Sequence, residues 1–310
     1  MDRLKAMAVL AAAVEAGSLS AAGRRLGMPL ATVSRIISEL EAHLKTRLLN
    51  RTTRSLGLTE SGMTYVAASR RILEQVGEAE RAAAGEYSQP RGELVITAPI
   101  VFGRLHVLPV MTHFLQSFPR IDARLMLTDR VANLMDDHLD VAFRIGALPD
   151  SALVATRLGS VRQVVCATPA YWKARGMPKT PDALDRHDCI SFEALDASQR
   201  WNFSGGAVTV HARLSVNTAE AALDAALAGV GATRLLSYQA EQAVETGRLK
   251  IALAAFEPAP MPVHMLHGGQ RLLPLKLRAF LDFAAPRLKT RLVRLGEVIR
   301  DKKSGGRQLS

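Results

Sequence analysis

Two short clusters of side chains set the chemistry of the N-terminal part of this chain. The first is Thr32, Ser34 and Arg35; the second is Arg51-Thr52-Thr53-Arg54. Neither holds a nucleophile beside a base, or paired carboxylates. Both place guanidinium groups beside small hydroxyls. A guanidinium offers a planar fork to guanine O6 and N7 or to a phosphate, and a threonine methyl can meet thymine. Thr32, Ser34 and Arg35 are therefore candidates for reading base edges. Arg51, Thr52, Thr53 and Arg54 are candidates for phosphate or minor-groove contacts, which position without specifying sequence. Arg35 also stands four residues before Glu39, the spacing of an ordinary ion pair on a helix surface. Arg24 and Arg25 fit either a phosphate contact or a solvated helix face.

These side chains need elements to hold them. Leu4, Met7, Ala8, Ala11 and Val14 recur at helical spacing and predict a first amphipathic helix ending at Gly17. Ser18 is a good N-cap for a second helix and is counted with the candidate DNA contacts. The small residues Ala21, Ala22 and Gly23 let that helix approach its neighbour, and Gly27-Met28-Pro29 turns the chain. A third helix runs from about Leu30 to Leu44, with Val33, Ile36, Ile37 and Leu40 inward and Thr32, Ser34, Arg35 and Ser38 outward. Residues 46–58 predict a two-stranded wing with the second cluster near its tip. Together these make a winged helix-turn-helix.

Thr59 caps a long helix from about Glu60 to Gly85. Val66 and Leu73 lie seven apart, as do Ser69, Val76 and Ala83, so one seam repeats at heptad spacing and predicts a homodimer through paired linker helices. The domain plan is 1–58 for the DNA-binding module, 59–89 for the linker helix, 90–290 for an effector-binding part and 291–310 for a basic, partly disordered tail.

The net charge of +11 is unevenly spread. Residues 1–57 are net +5 and residues 287–310 net +6, whereas the long middle is neutral. Basic ends on a neutral body suit a protein that meets a polyanion locally. No apolar run is long enough to span a membrane, and the apolar stretch after Arg3 and Lys5 is broken by Glu15, so a cytoplasmic location is expected. Two cysteines, Cys166 and Cys189, are too few for a disulfide framework and read as buried thiols, with redox sensing as the alternative.

Beyond the break at Gln89-Pro90-Arg91-Gly92 the pattern alternates. Strands are predicted at 93–98, 121–128, 141–145, 163–167, 249–253 and 263–266. Helices are predicted at 103–118, 131–138, 218–228 and 275–288, with an aperiodic tail from Arg300. Such alternation implies α/β architecture in two lobes with mostly parallel sheets. Ligands bind such sheets at the carboxyl ends of the strands. Candidate effector contacts there are Pro99, Ile100, Val101, Phe102, Thr128, Arg144, Gly146, Asn217, Thr218 and Ala219. Helix starts near Phe102-Gly103 and at Thr218-Ala219 favour an anionic ligand, and Ile100, Val101 and Phe102 favour an apolar body.

Glu15-Ala16-Gly17-Ser18, Val33-Ser34-Arg35, Arg51-Thr52-Thr53-Arg54, Leu58-Thr59-Glu60-Ser61-Gly62, Thr97-Ala98-Pro99, Asp140-Val141-Ala142-Phe143-Arg144-Ile145-Gly146 and His187-Asp188-Cys189 occur in one order along the chain. On these motifs the sequence resembles the LysR-type transcriptional regulators, in their CrgA-like branch, from Leu4 to about Leu288. The resemblance implies a winged helix-turn-helix, a pairing linker helix and an effector domain of the type 2 periplasmic-binding-protein fold. It also implies dimers that pair again into tetramers or larger rings. The implied partners are double-stranded promoter or operator DNA and a small-molecule effector, with no cofactor, metal or membrane. Leu30 and Ala31 depart from the family's polar residues, as does Ala232-Thr233-Arg234-Leu235-Leu236-Ser237.

Two other classes compete. An enzyme would need a nucleophile elbow, a phosphate-binding glycine loop or a zinc motif, and the sequence has none of these. Asp185-Arg186-His187-Asp188-Cys189 looks like a metal cluster, but adjacent residues on one loop cannot all converge on one ion. A free solute receptor fits the second part alone and leaves the N-terminal module without a role.

Overall fold

A computed structural model describes residues 1–51, 56–83, 89–130, 139–196, 199–269 and 273–304. The wing tip with Thr52, Thr53 and Arg54, the helix expected at 131–138 and the last six residues lie outside them. The chain forms two units, Met1–Gly92 and Glu93–Ser310.

The first unit contains α1 (Arg3–Glu15), α2 (Leu19–Leu26), α3 (Leu30–Leu44), the hairpin β1 (Leu49–Arg51) and β2 (Leu56–Leu58), and α4 (Glu60–Ala83). Leu10, Ile37, Leu40 and Leu48 are among its most deeply buried side chains. The inward face of α1 differs from the one the sequence suggested. Ala6, Val9, Leu10 and Ala13 are buried, whereas Leu4 is 42% exposed and Met7, Ala8 and Val14 are only half-buried. Residues 6–14 are almost wholly apolar, so periodicity alone does not select a face. The seam on α4 is also revised. Val66 and Ser69 are buried within this unit's own chain, Val66 in the same core as α1, while Leu73 and Val76 stay half-exposed.

The second unit holds two lobes. In lobe I the strands lie in the order β4 (Ile121–Leu127), β3 (Gly92–Ala98), β5 (Val141–Ile145), β14 (Met261–Gly268) and β6 (Leu153–Val161). In lobe II the order is β11 (Ala212–Val216), β8 (Cys189–Phe192), β12 (Ala232–Leu236), β7 (Gln163–Ala167) and β13 (Lys250–Ala252). A separate hairpin joins β9 (Arg200–Phe203) to β10 (Gly206–Thr209).

The sheets are mixed rather than mostly parallel. β3 and β5 run parallel, as do β8 and its two neighbours, but β14 is antiparallel to β5 and β6, and β7 to β12 and β13. The antiparallel strands are those next to the points where the chain crosses between lobes. A crossing strand enters its new sheet from the hinge side, so its direction reverses.

Around the sheets lie α5 (Ile100–Phe102), a π-helical turn (Gly103–Val107) and α6 (Leu108–Ser117) in lobe I, then α7 (Pro169–Arg175), α8 (Glu193–Asp196), α9 (Ala219–Leu227) and α10 (Ser237–Glu245). The final helix, α11 (Leu275–Ser304), runs well past Leu288 and through Pro286 into the segment expected to be disordered. Its apolar residues Phe280, Ala284, Leu288, Leu292 and Leu295 are buried against lobe I. That continuing i, i+4 stripe carries the helix beyond the proline.

Candidate DNA-binding face and effector cleft

In the first unit the recognition geometry rests on short-range hydrogen bonds. Ser18 Oγ accepts from the Ala21 amide at 3.1 Å and caps α2, so its oxygen already has a structural partner. Gly27 closes α2 with φ +64°, a left-handed conformation that glycine adopts without strain. Met28 N then donates to Gly23 O at 2.8 Å, which fixes the turn.

No side chain caps α3. Val33, Ile36, Ile37 and Leu40 are buried, Thr32 and Ser34 are half-buried, and Arg35, Leu30 and Ala31 are exposed. Arg35 donates to Glu39 at 2.5 Å, with both side chains largely in solvent (64% and 43% exposed). An exposed pair of this kind contributes little stability, about 0.3–0.5 kcal/mol. It holds Arg35 extended without committing it.

The wing is tied to the helices by two side chains, Glu41 and Thr59. Glu41 Oε1 accepts from Leu48 N at 2.8 Å and Leu49 N at 3.1 Å. Thr59 Oγ1 donates to Arg47 O at 2.7 Å and accepts from Gly62 N at 2.9 Å, capping α4 as expected. A Cβ on Gly62 would lie 2.0 Å from Leu48 O, so only glycine permits this approach. Arg51 ends β1 at the edge of the described wing.

In the second unit the ten candidate effector residues differ widely in burial. Phe102 is fully buried. Its ring packs 5.0 Å from His106, 6.1 Å from Phe143 and 5.6 Å from Tyr238, as part of the core rather than the cleft rim. Val101 and Ala219 are buried, Pro99, Ile100, Thr128, Arg144, Gly146 and Thr218 half-buried, and Asn217 exposed. Thr218 Oγ1 caps α9 by accepting from Ala221 N at 3.3 Å. Thr128 Oγ1 accepts from Arg130 N at 3.1 Å, and Arg144 Nη1 donates to Phe143 O at 3.1 Å. Gly146 N donates to Pro262 O at 2.9 Å. A cavity of about 470 Å³ opens between the lobes, and of the ten candidates only Val101 and Ala219 line it, beside Arg104, Leu105, Glu220 and Leu223.

Two carboxylates outside the ten candidates stand at the helix starts. Asp129 accepts from Ile100 N at 3.1 Å, and Glu220 lies 4.0 Å from Arg104 across the lobes. Burial pushes the Asp129 carboxyl above its usual range, against the pull of the Ile100 N–H, and nearby Glu220 adds to the rise. An acid group entering at Ile100 therefore has to displace Asp129.

Tyr238 was missed. Its ring lies edge-on to Phe102 and to His106, and burial drives its hydroxyl well above the usual phenol range. Burial, helped by Arg291, lowers His106 to about 4.

The Asp185–Cys189 loop disperses rather than converges. Asp188 pairs with Arg175 and Arg213 at 3.2 and 3.3 Å, His187 packs on Tyr171 and Trp172, and Cys189 is buried in β8. Among the described residues no His, Cys, Asp and Glu group could hold a metal, and no helix is long and apolar enough to cross a membrane. Cys166 is also buried, its thiol pushed up to about 12, so the reactive thiolate is disfavoured.

Residues 4–63 match the model for bacterial regulatory helix-turn-helix proteins of the lysR family, and residues 88–289 match the LysR substrate binding domain. A Xanthomonas campestris HTH-type transcriptional regulator is 36% identical over 89% of this chain and 82% of its own length. An HTH-type transcriptional repressor of Pseudomonas aeruginosa is 32% identical over 91% of each chain. The solved structure of CrgA, a LysR-type transcriptional regulator from Neisseria meningitidis, matches over 92% of this chain and 98% of its own, with 30% identity and a TM-score of 0.60. With a helix-turn-helix on a compact core, a two-lobed second unit and these matches over nearly its whole length, the chain belongs to the LysR-type transcriptional regulators.

Proposed function

We propose that α3 reads operator DNA through Thr32, Ser34 and Arg35, with Arg51, Thr52, Thr53 and Arg54 of the wing holding phosphates or the minor groove. The observation that carries this reading is the outward face of α3. An uncapped helix start and a largely exposed Arg35 project from a core that fixes the helix on its other side. Ser18 acts at most through its position, because its hydroxyl caps α2. The active species is a homodimer, or a dimer of dimers, paired in part through the Leu73–Val76 stretch of α4, and it works in the cytoplasm where its DNA is.

The effector is a small organic acid with an apolar body, bound between the lobes. Arg104 and the first residue of α9, Ala219, support the acid end, and Val101, Leu105 and Leu223 the apolar end. Such a ligand alters transcription only through different affinity for two arrangements of the oligomer.

A gel shift with the chain's own upstream DNA tests the first reading. Binding is expected, and Arg54→Ala should weaken it on all sequences alike and flatten its salt dependence. Failure to shift that DNA under any condition removes the proposed role. A thermal-shift screen of aromatic and aliphatic carboxylates against neutral sugars and amines tests the second. Stabilisation by sugars or amines alone would reject the acid.

A further inference from the structure

The chain passes between the lobes of the second unit at two places. One is Arg162, the single residue between β6 of lobe I and β7 of lobe II; the other is the segment from β13 to β14 that contains Glu257. These two crossovers are joined by a two-pronged ion pair. Arg162 Nε donates to Glu257 Oε2 at 2.6 Å, and Nη2 donates to Oε1 at 2.7 Å. The side chains are only 17% and 12% exposed, the lowest pair of exposures among the described salt bridges. Beside them Gln163 Nε2 donates to Met261 Sδ at 3.2 Å, a second tie between the crossovers.

The backbone of Arg162 is held as well. Ser237 N donates to Arg162 O at 2.8 Å, and Arg162 N donates to Ser237 Oγ at 3.2 Å. Ser237 opens α10, and the next residue is Tyr238, whose ring seats against Phe102 and His106 of lobe I. A continuous chain of contacts thus runs from Glu257 through Arg162, Ser237 and Tyr238 to Phe102 and His106 of lobe I.

We propose that Arg162 and Glu257 are positioning residues that fix the angle between the two lobes and, through Ser237, the seat of Tyr238 against Phe102 and His106 of lobe I. Two polypeptide crossovers alone would bend freely about the line joining them. A planar, bidentate guanidinium–carboxylate pair resists twisting in a way a single hydrogen bond does not. Because the pair is shielded, salt weakens it little. The signal from an occupied cleft therefore passes through this pair rather than through wide opening of the lobes. That last step rests on the proposed effector site; the geometric claim does not.

The test uses the full-length chain with dyes on exposed cysteines introduced by Asp122→Cys in lobe I and Lys173→Cys in lobe II, diluted with unlabelled protein for single-molecule energy transfer. The native Cys166 and Cys189 are buried and stay unlabelled. The parent should give one narrow distance distribution without any ligand. Arg162→Met/Glu257→Leu, which removes both charges, should keep a denaturation midpoint near the parent's, since apolar replacement of a buried pair is often neutral. Its distance distribution should nevertheless shift or broaden, and amide exchange at Ser237 and Tyr238 should rise about tenfold or more. A mere packing role would move the midpoint and leave the distances alone.

If that variant folds and keeps the parent's distribution and exchange, the proposal is wrong. Should it not fold, the milder Arg162→Lys carries the same measurements. Unchanged distances and exchange there overturn the proposal equally. A chain that shows the distance change yet binds no carboxylate would retain the hinge pair and reject only the effector reading.

Discussion

The two units differ in the most shielded charges they hold: both carry ion pairs in solvent, such as Arg124 with Glu93 in the effector unit, but among the described residues only the effector unit also carries a shielded one. Among the ion pairs of the DNA-binding unit, Arg35 with Glu39, Arg25 with Glu15 at 2.8 Å, and Arg70 with Glu15 at 3.5 Å stand in solvent, all at least 40% exposed. In the effector unit, Arg162 and Glu257 are mostly shielded, and Arg234 is 2% exposed, over the Trp201 ring and donating to the carbonyls of Leu195 and Asn202. A solvated pair costs little to make or break, so its guanidinium can be handed to a phosphate or a base. A shielded pair is expensive to break and so holds one geometry. The first arrangement suits a surface that must let go of water and take up DNA; the second suits a body that must keep its shape until a ligand changes it.

The sharpest way to break this comparison is to remove one partner from each kind of pair. Arg162→Met leaves Glu257 shielded and alone and should cost the second unit about 3–5 kcal/mol, read from a urea titration. Arg35→Ala in the same titration should change the first unit's stability by less than about 0.5 kcal/mol. Equal effects would erase the distinction.

His106 offers a second handle, confined to the effector unit. Its ordinary pKa is 6.5 and its folded value about 4. Between those values the unfolded chain holds more protons than the native one. Stability is therefore lost as pH falls from about 6.5 towards 4 and levels off below. The loss is on the order of 3 kcal/mol. His106→Phe, flanked by Phe102 and Tyr238, should flatten that part of the pH profile; a profile identical to the parent's would assign the acid sensitivity elsewhere.

Arg35→Ala should matter where its charge is used. Specific operator affinity should fall by about 1–3 kcal/mol, and base preference should relax at one position of each half-site. Unchanged affinity and selectivity would remove α3's Arg35 from the interface. The smallest effect belongs to Ser18. Ser18→Ala deletes the cap on α2 and should cost the first unit about 1 kcal/mol, with DNA affinity falling only as far as folding does. A drop in affinity with stability intact would make Ser18 a direct contact after all.

How far the sequence could be read follows from how local each feature is. The helix-turn-helix was legible because Ser18, Gly27, Pro29 and Thr59 are start and stop signals acting within a few residues. The face of α1 was not, because its run of apolar side chains offers every face equally. In the second unit, β6, β8, β12 and α10 lacked an individual signal. Ala232–Leu236 is buried on every residue, so it shows no alternation. The effector residues taken from strand ends were placed near the lobes' junction, but burial of Phe102 and the arrival of Asp129, Glu220 and Tyr238 depend on which strands pair. Tyr238 follows directly on the stretch Ala232–Ser237 that departs from the family pattern, and no motif of its own marks it. The length of α11 was hidden by Pro286 and by the polar composition beyond it.

The strand order of lobe I carries a consequence for how the protein is made. β14 lies between β5 and β6, yet it follows them in the chain by the whole of lobe II. During synthesis, the ribosome releases β5 and β6 with a vacant slot between them and then adds the segment Gln163–Ala252 before the missing strand appears. Lobe II can gather its own five strands in that interval, whereas lobe I stays open-edged, exposing apolar side chains such as Phe143 and Leu158 that later become core. Late closure of a sheet by a distant strand is slow and aggregation-prone. Lobe I is thus the nascent chain's vulnerable half, and it is there that a chaperone would find its handhold.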